Sequence, residues 1–135
     1  MIKKLTALAA IAALCVSMVA VADAKPQVKK VKTKVTLAFV KGGGTYAPYG
    51  EDKFEGKVKA KKGCKKNRKI VIKRNGVKTL TGKSNQSGKF SISAGTASPG
   101  TYTATAKKKK IFKGQGNNKK KIVCKKGTSN PVTVS

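Results

Sequence analysis

From Val31 onward the chain alternates, with Val31, Thr33, Val35, Leu37 and Phe39 on one side and Lys32, Lys34 and Thr36 on the other. A period of two sends successive side chains to opposite faces of a strand, so this segment predicts a half-buried β-strand. Gly42, Gly43 and Gly44 end it, and residues 45–50 read as a loop carrying Tyr46 and Tyr49. Phe54, Gly56, Val58 and Ala60 then alternate with Glu55, Lys57, Lys59 and Lys61, which predicts a second strand. Residues 69–74 form a short apolar run flanked by charge and are followed by Asn75-Gly76. That dipeptide tolerates positive φ at both turn positions and predicts a hairpin with Val77–Thr81 as the return strand.

Residues 89–93, 101–106, 122–124 and 132–134 continue the pattern, with Pro99-Gly100 between the first two. About eight short strands at regular spacing, and no window with helical periodicity, predict a single all-β domain of 7–8 strands. The expected form is a two-sheet sandwich of immunoglobulin-like kind. Its expected extent is 31–135, after a flexible basic lead-in at 25–30.

The first 24 residues differ from the rest. Lys3 and Lys4 precede an Ala-rich apolar run, and Ala22-Asp23-Ala24 places small residues where a signal peptidase reads them, so cleavage after Ala24 is expected. An uncleaved anchor is the competing reading, because the apolar run is near the lower length for crossing a bilayer. Lipidation at Cys15 is disfavoured by Leu14, which stands where a small residue is required.

Removal of this segment leaves two cysteines, Cys64 and Cys124, and an even pair in an exported chain reads as one disulfide. A catalytic thiol is disfavoured, since the chain has no His to act as its base. Secretion, or residence outside the cytoplasm, is the expected localisation.

Composition sets the partner. The chain has 32 Lys+Arg against 4 Asp+Glu, a formal charge of +28. From Lys25 to Ser135 there remain 30 bases and 3 acids, or +27, and only Arg68 and Arg74 among the bases are not lysine. Leu, Ile, Val and Phe make up 21 of those 111 residues. With that charge, such a composition borders on disorder, so the expected disulfide and the clean alternation carry the expectation of a fold.

Lysine is a hydrated point charge without the planar fork that reads one anion geometry, which argues against sequence-specific recognition. The runs at Lys65-Lys66, Lys107-Lys108-Lys109-Lys110 and Lys119-Lys120-Lys121 are the candidate polyanion-binding residues, with Lys61-Lys62 and Lys125-Lys126 adding to the field. Tyr46, Tyr49 and Phe112 are candidates for stacking on bases or sugars, although packing is the expected role of each.

Glu51, Asp52 and Glu55 are too few and too divergent for a calcium site and read as an ion-pair patch among lysines. Gly42-Gly43-Gly44 beside Lys41 lacks the Gly-Lys-Ser/Thr pattern of a phosphate cradle and reads as a loop. No enzyme activity, no metal and no cofactor are expected.

Three motifs in order carry a family likeness: Phe54-Glu55-Gly56-Lys57-Val58, Ser84-Asn85-Gln86-Ser87-Gly88-Lys89-Phe90-Ser91-Ile92, and Pro99-Gly100-Thr101-Tyr102-Thr103-Ala104. Together they resemble the carboxypeptidase regulatory-like, or transthyretin-like, sandwich over roughly residues 53–106. Ser84-Asn85 stands where that family usually has Thr-Asp, and Asn can make the same turn. The resemblance implies that Tyr102 packs inward, that Pro99-Gly100 turns the chain into its strand, and that the module has no chemistry of its own.

Two functions fit these features. One is an exported non-enzymatic module adhering to polyanions such as acidic polysaccharide, wall polymer, anionic lipid or non-specifically bound DNA. The other is a structural or adhesive surface protein without a defined ligand.

Overall fold

The computed structural model describes residues 27–43, 50–61 and 63–135. The leader with Ala22 and Ala24, the loop tyrosines Tyr46 and Tyr49, and Lys62 lie outside the described residues.

The chain is all-β, as the alternation predicts. Among the described residues eleven strands run in order: β1 Val28–Val31, β2 Lys34–Val40, β3 Asp52–Lys59, β4 Lys69–Arg74, β5 Val77–Lys83, β6 Lys89–Gly95, β7 Gly100–Ala106, β8 Lys109–Lys113, β9 Lys120–Cys124, β10 Gly127–Thr128 and β11 Val132–Val134. They form three sheets. One has the order β2-β3-β6, a second β10-β7-β4-β5 with β11 also paired to β7, and a third β1-β9-β8.

The first two sheets pack face to face. Val35, Phe54, Val58 and Phe90 from one meet Ile70, Ile72, Tyr102 and Val134 from the other in a single buried cluster. The Phe54 and Tyr102 rings lie 4.5 Å apart, and the Tyr102 hydroxyl donates to the Ser98 carbonyl at 2.6 Å, so the phenol is buried with its polar end satisfied. The β4–β5 hairpin turns at Asn75 (φ 49°) and Gly76 (φ 82°), the two left-handed positions that the dipeptide predicts. Asn85 Oδ1 accepts from the backbone N–H groups of Ser87 and Lys89, closing the turn into β6.

The strand count exceeds the expected seven or eight, for identifiable reasons. The predicted strand Val31–Phe39 is two strands in different sheets, broken at Lys32-Thr33. Val31 faces a small cluster with Cys64, Ile122 and Cys124, whereas Val35 faces the main core. An alternation of two continues through such a change of sheet, because the side-chain period does not register which neighbour the strand pairs with.

Val28, Lys29 and Lys30, expected in the flexible lead-in, pair in parallel with Lys121, Ile122 and Val123 of β9. Strand β8 falls inside a charge run and buries only part of Ile111, so its pattern shows no apolar face. The two-residue β10 has no pattern to read.

Candidate anion-binding surface

At the junction of the sheets lies Arg68, fully buried at 0% exposure. Its Nη1 donates to the Cys64 carbonyl at 2.5 Å and to Thr33 Oγ1 at 3.1 Å. Nη2 donates to the carbonyls of Lys107 at 2.7 Å and Lys125 at 3.0 Å, and Nε donates to Lys107 again at 3.1 Å. Burial lowers its pKa from the ordinary value, yet a guanidinium remains a cation in proteins. Oxygen dipoles therefore satisfy a buried positive charge.

The same residue's backbone N–H donates to Ser84 Oγ, which in turn donates to the Lys65 carbonyl at 2.7 Å. One side chain thus holds the backbones of segments bearing Lys65-Lys66, Lys107–Lys110 and Lys125-Lys126. Gly127 completes the junction, since a Cβ there would lie 2.5 Å from the Thr33 carbonyl oxygen.

The predicted lysines occupy two regions. Lys65 and Lys66 are exposed in the turn after Cys64, Lys107 and Lys108 are exposed before β8, and Lys110 is exposed within it. Lys109 is half-buried, and its Nζ donates to the Lys66 carbonyl at 3.1 Å, which brings the first two runs together. Lys119, Lys120 and Lys121 lie at the far end of the β8–β9 pair, with Lys119 and Lys120 exposed and Lys121 half-buried. Phe112 is 65% exposed on β8, so packing is not its role.

The ladders place lysine against lysine. Lys34 stands opposite Lys59, Lys57 opposite Lys89, Lys69 opposite Lys83, Lys73 opposite Lys78, and Lys113 opposite Lys120. Side chains so paired have Cβ atoms about 4.5–5.5 Å apart, and like charges there are destabilising. An anion bridging such a pair relieves the repulsion.

Sequence reading missed a lysine-lined groove. An open depression of about 640 Å³ is bounded by residues 29–34 and 59–61, with Lys29, Lys30, Lys32, Lys34, Lys59 and Lys61 around Val31 and Ala60. A second depression, of about 460 Å³, shares Lys29 and adds Gln27, Lys113, Lys120 and Ile122. A larger one, about 700 Å³, lies over β2, β3 and β6, but mixes Glu55 with Lys57, Lys83 and Lys89.

Beneath the first groove, Val31 and Ala60 pack against Cys64 and Cys124, whose Cα atoms are 5.4 Å apart and whose sulfurs are bonded. The disulfide therefore ties β9, and with it β1, to the turn that follows β3. The i, i+2 spacing of Lys30, Lys32 and Lys34 was visible in the sequence. Its juxtaposition with Lys59 and Lys61 required the pairing of β2 with β3.

Among the described residues, two of the carboxylates are engaged by hydrogen bonds. Asp52 accepts from the Gly42 N–H through Oδ1 and the Ala97 N–H through Oδ2, both at 2.8 Å, and so fastens two loops. The Ala97 and Gly42 hydrogen bonds, aided by Lys41, hold its pKa below the ordinary carboxylate value against a smaller opposing effect of burial. Glu51 accepts a hydrogen bond from the Ser93 hydroxyl. Among the described residues no group of three or more His, Cys, Asp or Glu side chains is placed to hold a metal ion, and no helix is long and apolar enough to cross a membrane.

No family model, curated protein or solved structure matches this chain.

Proposed function

We propose that this protein is an exported, non-enzymatic β-sandwich module that adheres electrostatically to polyanions of the cell envelope or its surroundings. Acidic polysaccharide, wall polymer, anionic lipid and DNA are the partner types. The reading rests on the opposed lysine pairs: the fold keeps cations at ladder distance, and a polymer of closely spaced negative charge offsets their repulsion. Lysines that approach such a polymer release condensed counterions, so affinity follows salt rather than sequence.

The leader-like segment ending at Ala24 and the bonded cysteines support export to an oxidising compartment. The buried Tyr102 and the Asn85 turn support the carboxypeptidase regulatory-like reading of the sandwich.

Retention on immobilised duplex DNA and on polygalacturonate across a salt series tests the function. Binding should be tight at low salt and lost at high salt, with a slope for DNA of about −0.9 in log K per log salt for each phosphate neutralised. Replacing Lys107, Lys108, Lys109 and Lys110 with Gln should flatten that slope. Absence of binding to any polyanion at low salt would favour the alternative, a structural or adhesive surface protein without a defined ligand.

A further inference from the structure

The lysine-lined groove narrows the partner. Resting on the polyanion reading, we propose that the groove along β1, between residues 29–34 and 59–61, seats a single extended polyanion chain that carries no aromatic groups.

Shape and charge carry this first. Two separate segments bring six lysines to one depression, and the residues lining it include no carboxylate. Cations gathered around a groove are best neutralised by a chain lying within it. The charge also continues past Lys29 to Lys113 and Lys120 in the adjoining depression. Lys29 and Lys30 lie on β1, Lys34 on β2 and Lys59 on β3, so the lining runs across three strands. That is the footprint of a polymer segment rather than of one small anion.

The lining excludes other occupants. Its apolar members are Val31, Ala60 and Ile122, and among the described residues no aromatic side chain borders either depression. Stacking, worth about 1–3 kcal/mol per base in single-strand nucleic-acid sites, is absent from this groove. The exposed Phe112 follows Ile111 and precedes Lys113 on β8, so it projects to the opposite face of that strand. A bilayer is also a poor match. Among the described residues the large exposed apolar side chains Val28, Val40, Val77 and Phe112 are spread over four strands in three sheets and share no single face.

The groove is also held in shape before any ligand arrives. Val31 pairs with Cys124, Cys124 is bonded to Cys64, and Thr33 accepts a hydrogen bond from the buried Arg68. The backbone that carries these lysines therefore needs little ordering on binding. Lysine ammonium groups do not distinguish phosphate from carboxylate by geometry, so the shared chemistry is an anionic chain of either kind.

Two variants of equal charge test the proposal: Lys29→Gln/Lys59→Gln/Lys61→Gln in the groove, and Lys69→Gln/Lys78→Gln/Lys83→Gln on the β4–β5 hairpin. Probes are long-chain polyphosphate, polygalacturonate, oligothymidylate and phosphatidylglycerol vesicles, measured at one fixed low salt concentration. The groove variant should lose about tenfold or more in affinity for polyphosphate or polygalacturonate relative to the hairpin variant. The tighter of these two chains identifies the charged group.

In the unaltered protein, either chain should protect Lys29, Lys59 and Lys61 from acetylation more than Lys78, which keeps the test independent of variant folding. Equal loss in both variants with equal protection overturns the groove while leaving the general polyanion reading intact. Tighter groove-dependent binding of oligothymidylate or vesicles overturns the partner class. No binding of any probe removes the underlying reading itself.

Discussion

Lys34 stands directly opposite Lys59 in the β2–β3 ladder, and both line the groove beside β1. The pair is a stability cost located at a candidate binding surface. Replacing Lys59 with Gln should therefore stabilise the protein at low salt by roughly 0.2–1 kcal/mol, the size of one cross-strand charge effect. Thermal melts in a salt series check this. The gain should fade as salt rises, because screening removes the repulsion in the parent protein. A destabilised variant at low salt would show that the two ammonium groups do not repel in the folded state.

The Cys64–Cys124 bond closes a separation of 60 residues, for which chain entropy gives roughly 4 kcal/mol. Reduction should lower the melting temperature sharply, and also weaken polymer binding, because the bond joins β9 to the turn beneath the groove. Intact mass of exported protein should show a chain starting at Lys25, two hydrogens lighter than the dithiol. Free thiols titrating in the native protein would contradict the pairing.

Arg68 carries the third expectation. Arg68→Met leaves the carbonyls of Cys64, Lys107 and Lys125 without their donor, and should cost on the order of 3 kcal/mol in denaturant unfolding. Arg68→Lys should recover only part of this, since an ammonium group lacks the fork that reaches several segments at once. Equal stability of the lysine variant and the parent would show that charge alone, not the fork, holds the junction.

Acid sensitivity follows from Asp52. Its folded-state pKa lies below the ordinary 3.8, so the ionised carboxylate contributes stability that is complete above about pH 4 and is lost as pH falls through the folded value. Melting temperature should decline over that acid range. The Asp52→Asn variant should be less stable at neutral pH and show a smaller acid-induced loss. An unchanged acid profile in that variant would assign the decline to another group.

Much of the sandwich was readable because its core strands alternate against lysine. Phe54 and Val58 lie between Lys53, Lys57 and Lys59, and Asn75-Gly76 marks its turn by backbone preference alone. The cysteine pairing followed from counting. The assembly of the third sheet was not readable, because β1 pairs with β9 across most of the chain and β8 buries little beyond part of Ile111. Arg68 was passed over as one base among thirty. That it is one of only two arginines among those bases was the available signal, but nothing local says that a guanidinium points inward to collect carbonyls. The lysine runs Lys107–Lys110 and Lys119–Lys121 stood out by adjacency, whereas the groove lysines come from two segments brought together by tertiary pairing.

The parallel alignment of Val28–Val31 with Lys121–Cys124 constrains how the molecule assembles. A chain made from its N-terminus emerges with β1 long before its partner exists, so this early strand must wait, unpaired, for late residues. Contacts of such sequence separation demand loop closure before they reward it, which slows folding. The docking of β1 on β9 should therefore come late after synthesis or refolding, whereas the local β8–β9 hairpin need not wait. Until then β1 offers open hydrogen-bonding groups to any passing strand, and its dense lysines are a safeguard against such misdirected pairing.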